Sequence, residues 1–423
     1  RILGKAEVGS SILPGGTIGR ARTWVRALPT IHEPLSFDPD AIPALGWGVT
    51  SIRAALGLAA ALFAAPLAAA QPAPELPRPS DGYFQETVTV APGVWLLMEP
   101  SFQVQPIGNV TVIEQSDGLV LVDSGGSPGS ARRIVEMIRR LSPKPVKAVV
   151  ITHWHGDHPQ GLSEILKAWP KARTIATRAT QAHLRDPKTM NTPAALDAEQ
   201  NAKFQQRLAE FQPYLARMQS ETKTPREREG WAAAERLFRQ YAVDMDGAVT
   251  LPVAEGFDDR LDLPDPQTPV QLQFLGRANT DGDAVAWLPK QKILVTGDIV
   301  VAPVPFGFGS YPADWIATLG KLRAYEFDVL IPGHGPPQRD RAYLDRLSAA
   351  IADIRAQVAP LAASGLSLEE VRTKVDSGRQ MQGFVGDDPW LRRWYAEYWV
   401  APIVASAFKE AKGQPIVQSL RGE

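Results

Sequence analysis

Within six residues the chain places four groups that can bind a metal cation, in the run His153-Trp154-His155-Gly156-Asp157-His158. Imidazole and carboxylate are the ligands zinc accepts when thiolates are absent, and this chain has no cysteine. The same absence excludes disulfides, thiolate zinc sites and cysteine nucleophiles. A strand end followed by a tight turn aims alternate side chains into one pocket. His153 and His155 then share one direction, while Asp157 and His158 can serve a second ion. Four of the six histidines lie in this run or at His334, a concentration that a chance cluster of polar loop residues does not account for.

Residues 146–151 form a largely apolar run of buried-strand type that leads straight into Thr152 and His153. Upstream, 94–98, 110–114 and 119–122 read as short strands broken by Pro, Gly and Asn, and 130–141 has helical spacing with Ile134, Ile138 and Leu141 on one face. A second set repeats this grammar: strands 270–274, 284–288 and 293–296, a helix around 315–325, then strand 329–331 ending in Pro332-Gly333-His334. In each half one strand ends at an aspartate (Asp123, Asp298), a helix follows, and a later strand ends at a histidine (His153, His334). The expected fold class is α/β, an αββα sandwich of two similar β-β-α halves.

His153, His155, Asp157 and His158 complete the signature H-x-H-x-D-H, and Asp298 in Thr296-Gly297-Asp298 and His334 in Pro332-Gly333-His334-Gly335 follow in order. In these residues the chain resembles the metallo-β-lactamase superfamily, over about 94–335. The resemblance implies one or two zinc ions per chain. One is held by three histidines, His153 and His155 among them; the other is held by Asp157, His158 and His334, with Asp298 often bridging. It implies that Asp123 supports the ligands from behind. It also implies attack of a metal-bound hydroxide on a carbonyl, or, with only the second site filled, Asp157 or the His153/His155 pair as general base. One position departs from the pattern. Where the family has a G-x-G-H-T-type segment, this chain reads Gly276-Arg277-Ala278-Asn279-Thr280-Asp281-Gly282-Asp283. Asn279 is therefore a weak or lost ligand, because an amide oxygen binds zinc less well than imidazole. His183 reads as a helix-surface histidine and His32 lies in the leader, so neither is expected to replace the missing imidazole.

The domain is expected over 87–340, with a helical insertion at 192–246 and a helical extension at 341–423. In the insertion Phe204, Leu208, Phe211, Leu215 and Met218 form a seam for one partner helix, Pro213 should kink it, and Thr224-Pro225-Arg226-Glu227 starts a second helix. The hairpin is expected to pack on itself, with Tyr214, Trp231 and Tyr241 left over to face the metal as a lid. These three and Trp154 are the candidate substrate contacts. In the extension Asp388-Pro389 caps a helix bearing Trp390, Trp394, Tyr395, Tyr398 and Trp399, read as core or docking surface rather than a ligand site.

Residues 1–48, rich in Gly and Pro without periodicity, are expected to be a disordered or non-native leader. Residues 49–70 read as a signal peptide: Arg53, a short Ala-rich run, then Ala68-Ala69-Ala70 before Gln71. Pro66 and the shortness of the run make it a poor span, and Val49 is a candidate start. A Pro-rich tether at 71–86 follows. The expectation is a periplasmic or secreted protein, free of the membrane after cleavage, in an oligomeric state the sequence leaves open. A formal net charge of −1 gives no global field for nucleic acid. The expected partner is a small molecule, and the expected reaction is zinc-dependent hydrolysis of a small cyclic amide or ester, a β-lactam or lactone. The alternatives are a phosphodiesterase or nuclease, a mononuclear iron oxygenase of the same superfamily, and a degenerate, non-catalytic binding protein.

Overall fold

The computed structural model describes residues 86–98, 107–186, 189 and 198–418. The leader, the signal peptide and the tether up to residue 85 lie outside the described residues.

A seven-stranded sheet takes its strands in sequence order: β1 (Glu86–Ala91), β2 (Val94–Met98), β3 (Val110–Glu114), β4 (Leu119–Val122), β5 (Val146–Val150), β6 (Arg173–Thr177) and β7 (Glu255–Phe257). Strands β1 to β4 pair antiparallel, and β4 to β7 pair parallel. Each parallel step needs a crossover. Helix α1 (Pro128–Leu141) supplies the first, and α2 (Leu162–Ala168) the second. Helices α3 (Arg178–Arg185), α4 (Ala198–Glu221) and α5 (Pro225–Asp244) lie between β6 and β7. The second sheet holds β8 (Arg260–Leu263), β9 (Val270–Phe274), β10 (Ala284–Leu288), β11 (Ile293–Val295) and β12 (Val329–Ile331), in the order β12-β11-β10-β9-β8. Its β11–β12 pair is parallel, joined through α6 (Pro312–Arg323).

Strand alternation builds two cores. Val120, Val122, Ala148 and Val150 point toward the second sheet and pack with Leu272, Ala286, Val295 and Ile331. Their neighbours Leu119, Leu121, Val149 and Ile151 point the other way, onto Ile134 and Ile138 of α1 and Leu162 and Ile165 of α2. A one-residue slip of β5 would exchange the two sets, so the register of the metal-bearing loop is set by burial on both faces. Helix α1 begins where Ser127 accepts a hydrogen bond from the Ser130 amide, with Pro128 at its first turn, and ends on Arg139 and Arg140, the residues its dipole favours there.

The strands read from the sequence over 94–98, 110–114, 119–122, 270–274, 284–288 and 329–331 have the observed bounds, and the two-sheet sandwich is as expected. Strands β1, β6, β7 and β8 are additional; β7 and β8 are short, and β6 carries only two strongly apolar residues at its centre, Ile175 and Ala176. Helix α5 starts at the expected Thr224 cap, and α4 continues through Pro213 as one helix packed on α5. The side chains of Phe204, Leu208 and Phe211 lie outside the described residues, whereas Leu215 is buried. The extension is helical, as α7 (Ala342–Ala363), α8 (Leu368–Arg372), α9 (Gly378–Val385), α10 (Pro389–Trp394) and α11 (Ala401–Ala411), with a π-helical turn over Tyr395–Val400. Among the described residues no helix is long and apolar enough to cross a membrane.

Candidate metal centre

Four strand ends build the centre. Asp123 follows β4, the run from Thr152 to His158 follows β5, Asp298 sits in a 3-10 turn after β11, and His334 follows β12. These are the carboxyl ends of two parallel pairs, β4–β5 and β11–β12, one in each sheet. The edge of a parallel pair is where side chains from separate strands meet over a shared crevice. Asn109 ties the halves together: its amide nitrogen donates to the carbonyls of Pro332 (3.0 Å) and Gly335 (2.9 Å), and its backbone N–H to that of Gly333 (2.7 Å). Gly333 is required by space, since a Cβ there would lie 1.9 Å from Asp298 Oδ1.

All six expected ligands are buried and fall into two groups, His153, His155 and Asp298, and Asp157, His158 and His334. Within each group the ligand atoms lie within 4.8 Å of one another. Asp298 reaches both: its Oδ2 is 3.7 Å from His153 Nε2, and its Oδ1 is 3.3 Å from His158 Nε2 and 3.6 Å from His334 Nε2. Asp157 Oδ2 lies 3.0 Å from His334 Nε2. Behind the second group Asp123 Oδ2 accepts from His158 Nδ1 at 2.9 Å, while its Oδ1 accepts from the Thr152 backbone N–H at 2.8 Å. Fixing the proton on Nδ1 leaves His158 Nε2 as the lone-pair face, the usual carboxylate–histidine–metal arrangement. Among the described residues His158 Nε2 and Asp298 Oδ1, both buried, make no hydrogen bond. Buried imidazole and carboxylate atoms without hydrogen-bond partners, clustered at this spacing, are a donor set that fits one or two dications.

The protonation pattern agrees. Burial lowers His153 strongly and brings His155 down to about 4, so both rings are neutral and able to act as ligands at neutral pH. Burial would raise Asp157, but His158 and His334 outweigh it and hold the carboxyl below the usual range. Burial opposes a charge on His158, yet Asp298, Asp157 and Asp123 together hold it well above an ordinary histidine. Four histidines and three carboxylates packed this closely need positive charge, and His158 supplies it as a proton that a cation would displace.

Asn279 is fully buried, and its Nδ2 donates to the Phe306 carbonyl at 2.8 Å. His183 departs from the surface reading: it is largely covered, with Nε2 2.9 Å from Asp281, and its ring lies 5.6 Å from Trp154, which in turn lies 4.5 Å from His155. Trp154 is buried, and its indole N–H donates to Gln418. Trp231 and Tyr241 are buried too, Trp231 against Trp390 and Trp394 at 5.2 and 5.6 Å, within the packing of α5 on α10 rather than as open faces for a ligand. Tyr214 is partly exposed, 6.2 Å from Trp231. Sequence reasoning missed Asn109 and the aromatic wall. Phe306 lies 5.0 Å from His334 and 5.5 Å from Tyr398, and Phe308 lies 5.3 Å from Tyr398. The only sequence signal for this wall was aromatic content in the loop before α6 and in the tail, with nothing to relate the two.

Residues 105–334 match the model of the metallo-beta-lactamase superfamily. A linear primary-alkylsulfatase from Pseudomonas sp. (strain ATCC 19151) is 26% identical over 305 residues, covering 67% of this chain and 52% of its own. A metallo-beta-lactamase type 2 from Bacillus cereus is 24% identical over 233 residues, covering 54% of this chain and 66% of its own. Among solved structures, the stereoselective inverting sec-alkylsulfatase from Pseudomonas sp. superposes with a TM-score of 0.54 at 19% identity, over 77% of this chain and 50% of that one, a likeness of fold. The chain thus spans about half the length of the alkylsulfatases it matches.

Proposed function

The chain belongs to the metallo-β-lactamase superfamily, and from that premise we propose that it is a zinc-dependent hydrolase of small esters with an apolar alcohol part, alkyl sulfates first. The observation that carries the reading is the juxtaposition of a paired ligand cluster with an aromatic wall. Phe306 packs against the ligand His334, and behind it stand Phe308 and Tyr398. Phe306 and Tyr398 are themselves buried, so the half-buried Phe308 is the part of this wall that an apolar chain would cover, at about 25 cal/mol per Å², while its charged head would meet the cations. The likeness to an alkylsulfatase over two thirds of the chain supports the same choice.

A dication bound here supplies Lewis acidity and lowers the pKa of water. The protein's own part is positional and protolytic. Asp157, kept ionised by His158 and His334, is the carboxylate placed to take a proton from attacking water. Asp123 orients His158, and Asp298 spans both groups. A β-lactam or lactone is the second reading, favoured by the match to the Bacillus cereus enzyme over a larger share of that enzyme's length. In either case the substrate is a small molecule met outside the cytoplasm, as the leader's pattern supports.

The test is turnover by protein stripped with a chelator and reloaded with zinc, on alkyl sulfates of increasing chain length, a chromogenic cephalosporin and a lactone. Turnover of sulfates that improves with chain length, vanishes on stripping and returns with zinc is expected. Turnover confined to the cephalosporin or lactone would move the assignment to the second reading. No turnover of any of them by zinc-loaded protein would sink both.

A further inference from the structure

We propose that Asn279 is a metal ligand of this chain, completing the His153–His155–Asp298 group with its side-chain carbonyl oxygen. The inference rests on the metal-dependent reading above and leaves the substrate aside. Asn279 is fully buried. Its amide orientation is set by chemistry, because the Phe306 carbonyl 2.8 Å away can only accept, so the atom facing it must be Nδ2. The oxygen is thereby turned the other way, and among the described residues it accepts no hydrogen bond. A fully buried amide oxygen without a donor is uncommon in a folded protein and calls for a water or a cation.

The surroundings favour the cation. Loop 276–283 is stiff: Thr280 donates to Asp283 through its backbone N–H and its hydroxyl, both at 2.8 Å, and the Tyr311 N–H donates to the Ala278 carbonyl at 2.9 Å. The loop leads into Ala284, whose N–H donates to the Thr152 carbonyl at 2.8 Å; Thr152 precedes His153, and its hydroxyl lies 3.1 Å from His153 Nδ1. On the other side, Phe306, whose carbonyl holds the Asn279 amide, has its ring 5.0 Å from that of His334 at a tilt of 55°. Asn279 is therefore linked, through its loop and the Phe306 carbonyl, to the segments that carry both groups, and among the described residues its oxygen, like Asp298 Oδ1 and His158 Nε2, is buried without a hydrogen bond.

The consequence is an unequal pair. Both groups share Asp298 and contain two imidazoles, but Asp157 brings a negative charge where Asn279 brings a neutral dipole. The Asn279 site should bind a dication more loosely.

The experiment counts ions rather than turnover, so its failure and that of the proposed reaction are separable. Chelator-stripped protein is titrated with Zn²⁺ by equilibrium dialysis, and with Co²⁺ by its visible absorption. Two steps are expected, the second at least ~10-fold weaker, the lower end of what changes around ligands are worth. Asn279→Ala should weaken the second step by ~10-fold or more and leave the first unchanged. Asn279→His should tighten the second step by a similar factor and alter the Co²⁺ spectrum of that step alone. Two equal tight steps in the unmodified protein, or a second step untouched by both substitutions, would overturn the proposal, as would equal weakening of both steps by Asn279→Ala. If Asn279→Ala does not fold, the histidine variant alone decides, since it keeps a side chain in the space. Protein that binds no dication at all would overturn the metal-dependent reading as well.

Discussion

Asp123→Asn isolates what a buried carboxylate does for the ligand in front of it. Asp123 accepts from the Thr152 backbone N–H at 2.8 Å, from the Thr152 hydroxyl at 2.9 and 3.1 Å, and from His158 Nδ1 at 2.9 Å. Its backbone is left-handed, at φ 68°, a conformation that asparagine tolerates as well as aspartate, so the substitution adds no new strain. The amide has one oxygen and one donating nitrogen. With the oxygen toward Thr152, the NH₂ faces His158 Nδ1 and can be satisfied only if that nitrogen gives up its proton. The proton then sits on Nε2, the atom needed for the metal. With the oxygen toward His158, the NH₂ opposes the Thr152 N–H and leaves that buried donor unpartnered. One mismatch costs about 1–3 kcal/mol in the stripped protein. Zinc affinity of the tighter site should fall by about 10–100-fold. Asp123→Ala strands Thr152 N–H and His158 Nδ1–H together, and about twice the destabilisation of one mismatch is expected. Denaturant unfolding of stripped protein gives the first number and zinc titration the second. An asparagine variant that binds zinc within about threefold of the unmodified protein, at equal stability, would refute the claim that this carboxylate sets the His158 tautomer.

Asp283, buried and close to the Asp298 charge, has its carboxyl raised to about 8. The folded state thus keeps a proton that the unfolded chain releases near about pH 4. The Asp283 contribution to the stability of stripped protein should fall as pH rises from about 4 to about 8, while the lowered His153 and His155 work the other way below their ordinary value. The quantity to read in denaturant melts is therefore the difference between the unmodified protein and Asp283→Asn, which should fall in that direction across the window. Trp231→Ala should destabilise by about 3–5 kcal/mol through the cavity left among Trp390, Trp394 and α5, with KM nearly unchanged; a large KM effect at unchanged stability would restore Trp231 as a substrate contact. Phe308→Ala, at the partly exposed member of the wall, should raise KM for long-chain substrates more than for short ones, and an equal effect on all chain lengths would place Phe308 in packing alone.

Much of the ligand set was legible because its spacing is local. His153, His155, Asp157 and His158 fit in one turn after a strand, and the strand could be read from its buried run. Asp298 and His334 were legible because each follows a short apolar strand in the second half, and the strand ends of parallel pairs meet at one edge. The helix start at Thr224 and the Asp388 cap were legible for the same reason, since a cap is a contact between residues two or three apart. What the tertiary structure alone decided has large sequence separation. Asn109 clamps the loop of His334 across more than two hundred residues, and its own neighbours give no hint of that partner. Phe306 meets Tyr398 only because the extension folds back, through a π-helical turn, onto the loop before α6. Trp231 and Trp390 share a helical aromatic pattern that burial and ligand contact produce equally well; packing of α5 on α10 assigned it to burial. His183 was read from its helix alone, and its pairing with Asp281 depends on where loop 276–283 crosses the end of α3. Asn279 shows both sides at once. Sequence marked it as a departure in a ligand pattern, but only the fold fixes the amide nitrogen on the Phe306 carbonyl and leaves the oxygen buried with no donor among the described residues. Side-chain identity is local information, whereas the direction in which an amide points is set by partners that folding brings from elsewhere in the chain.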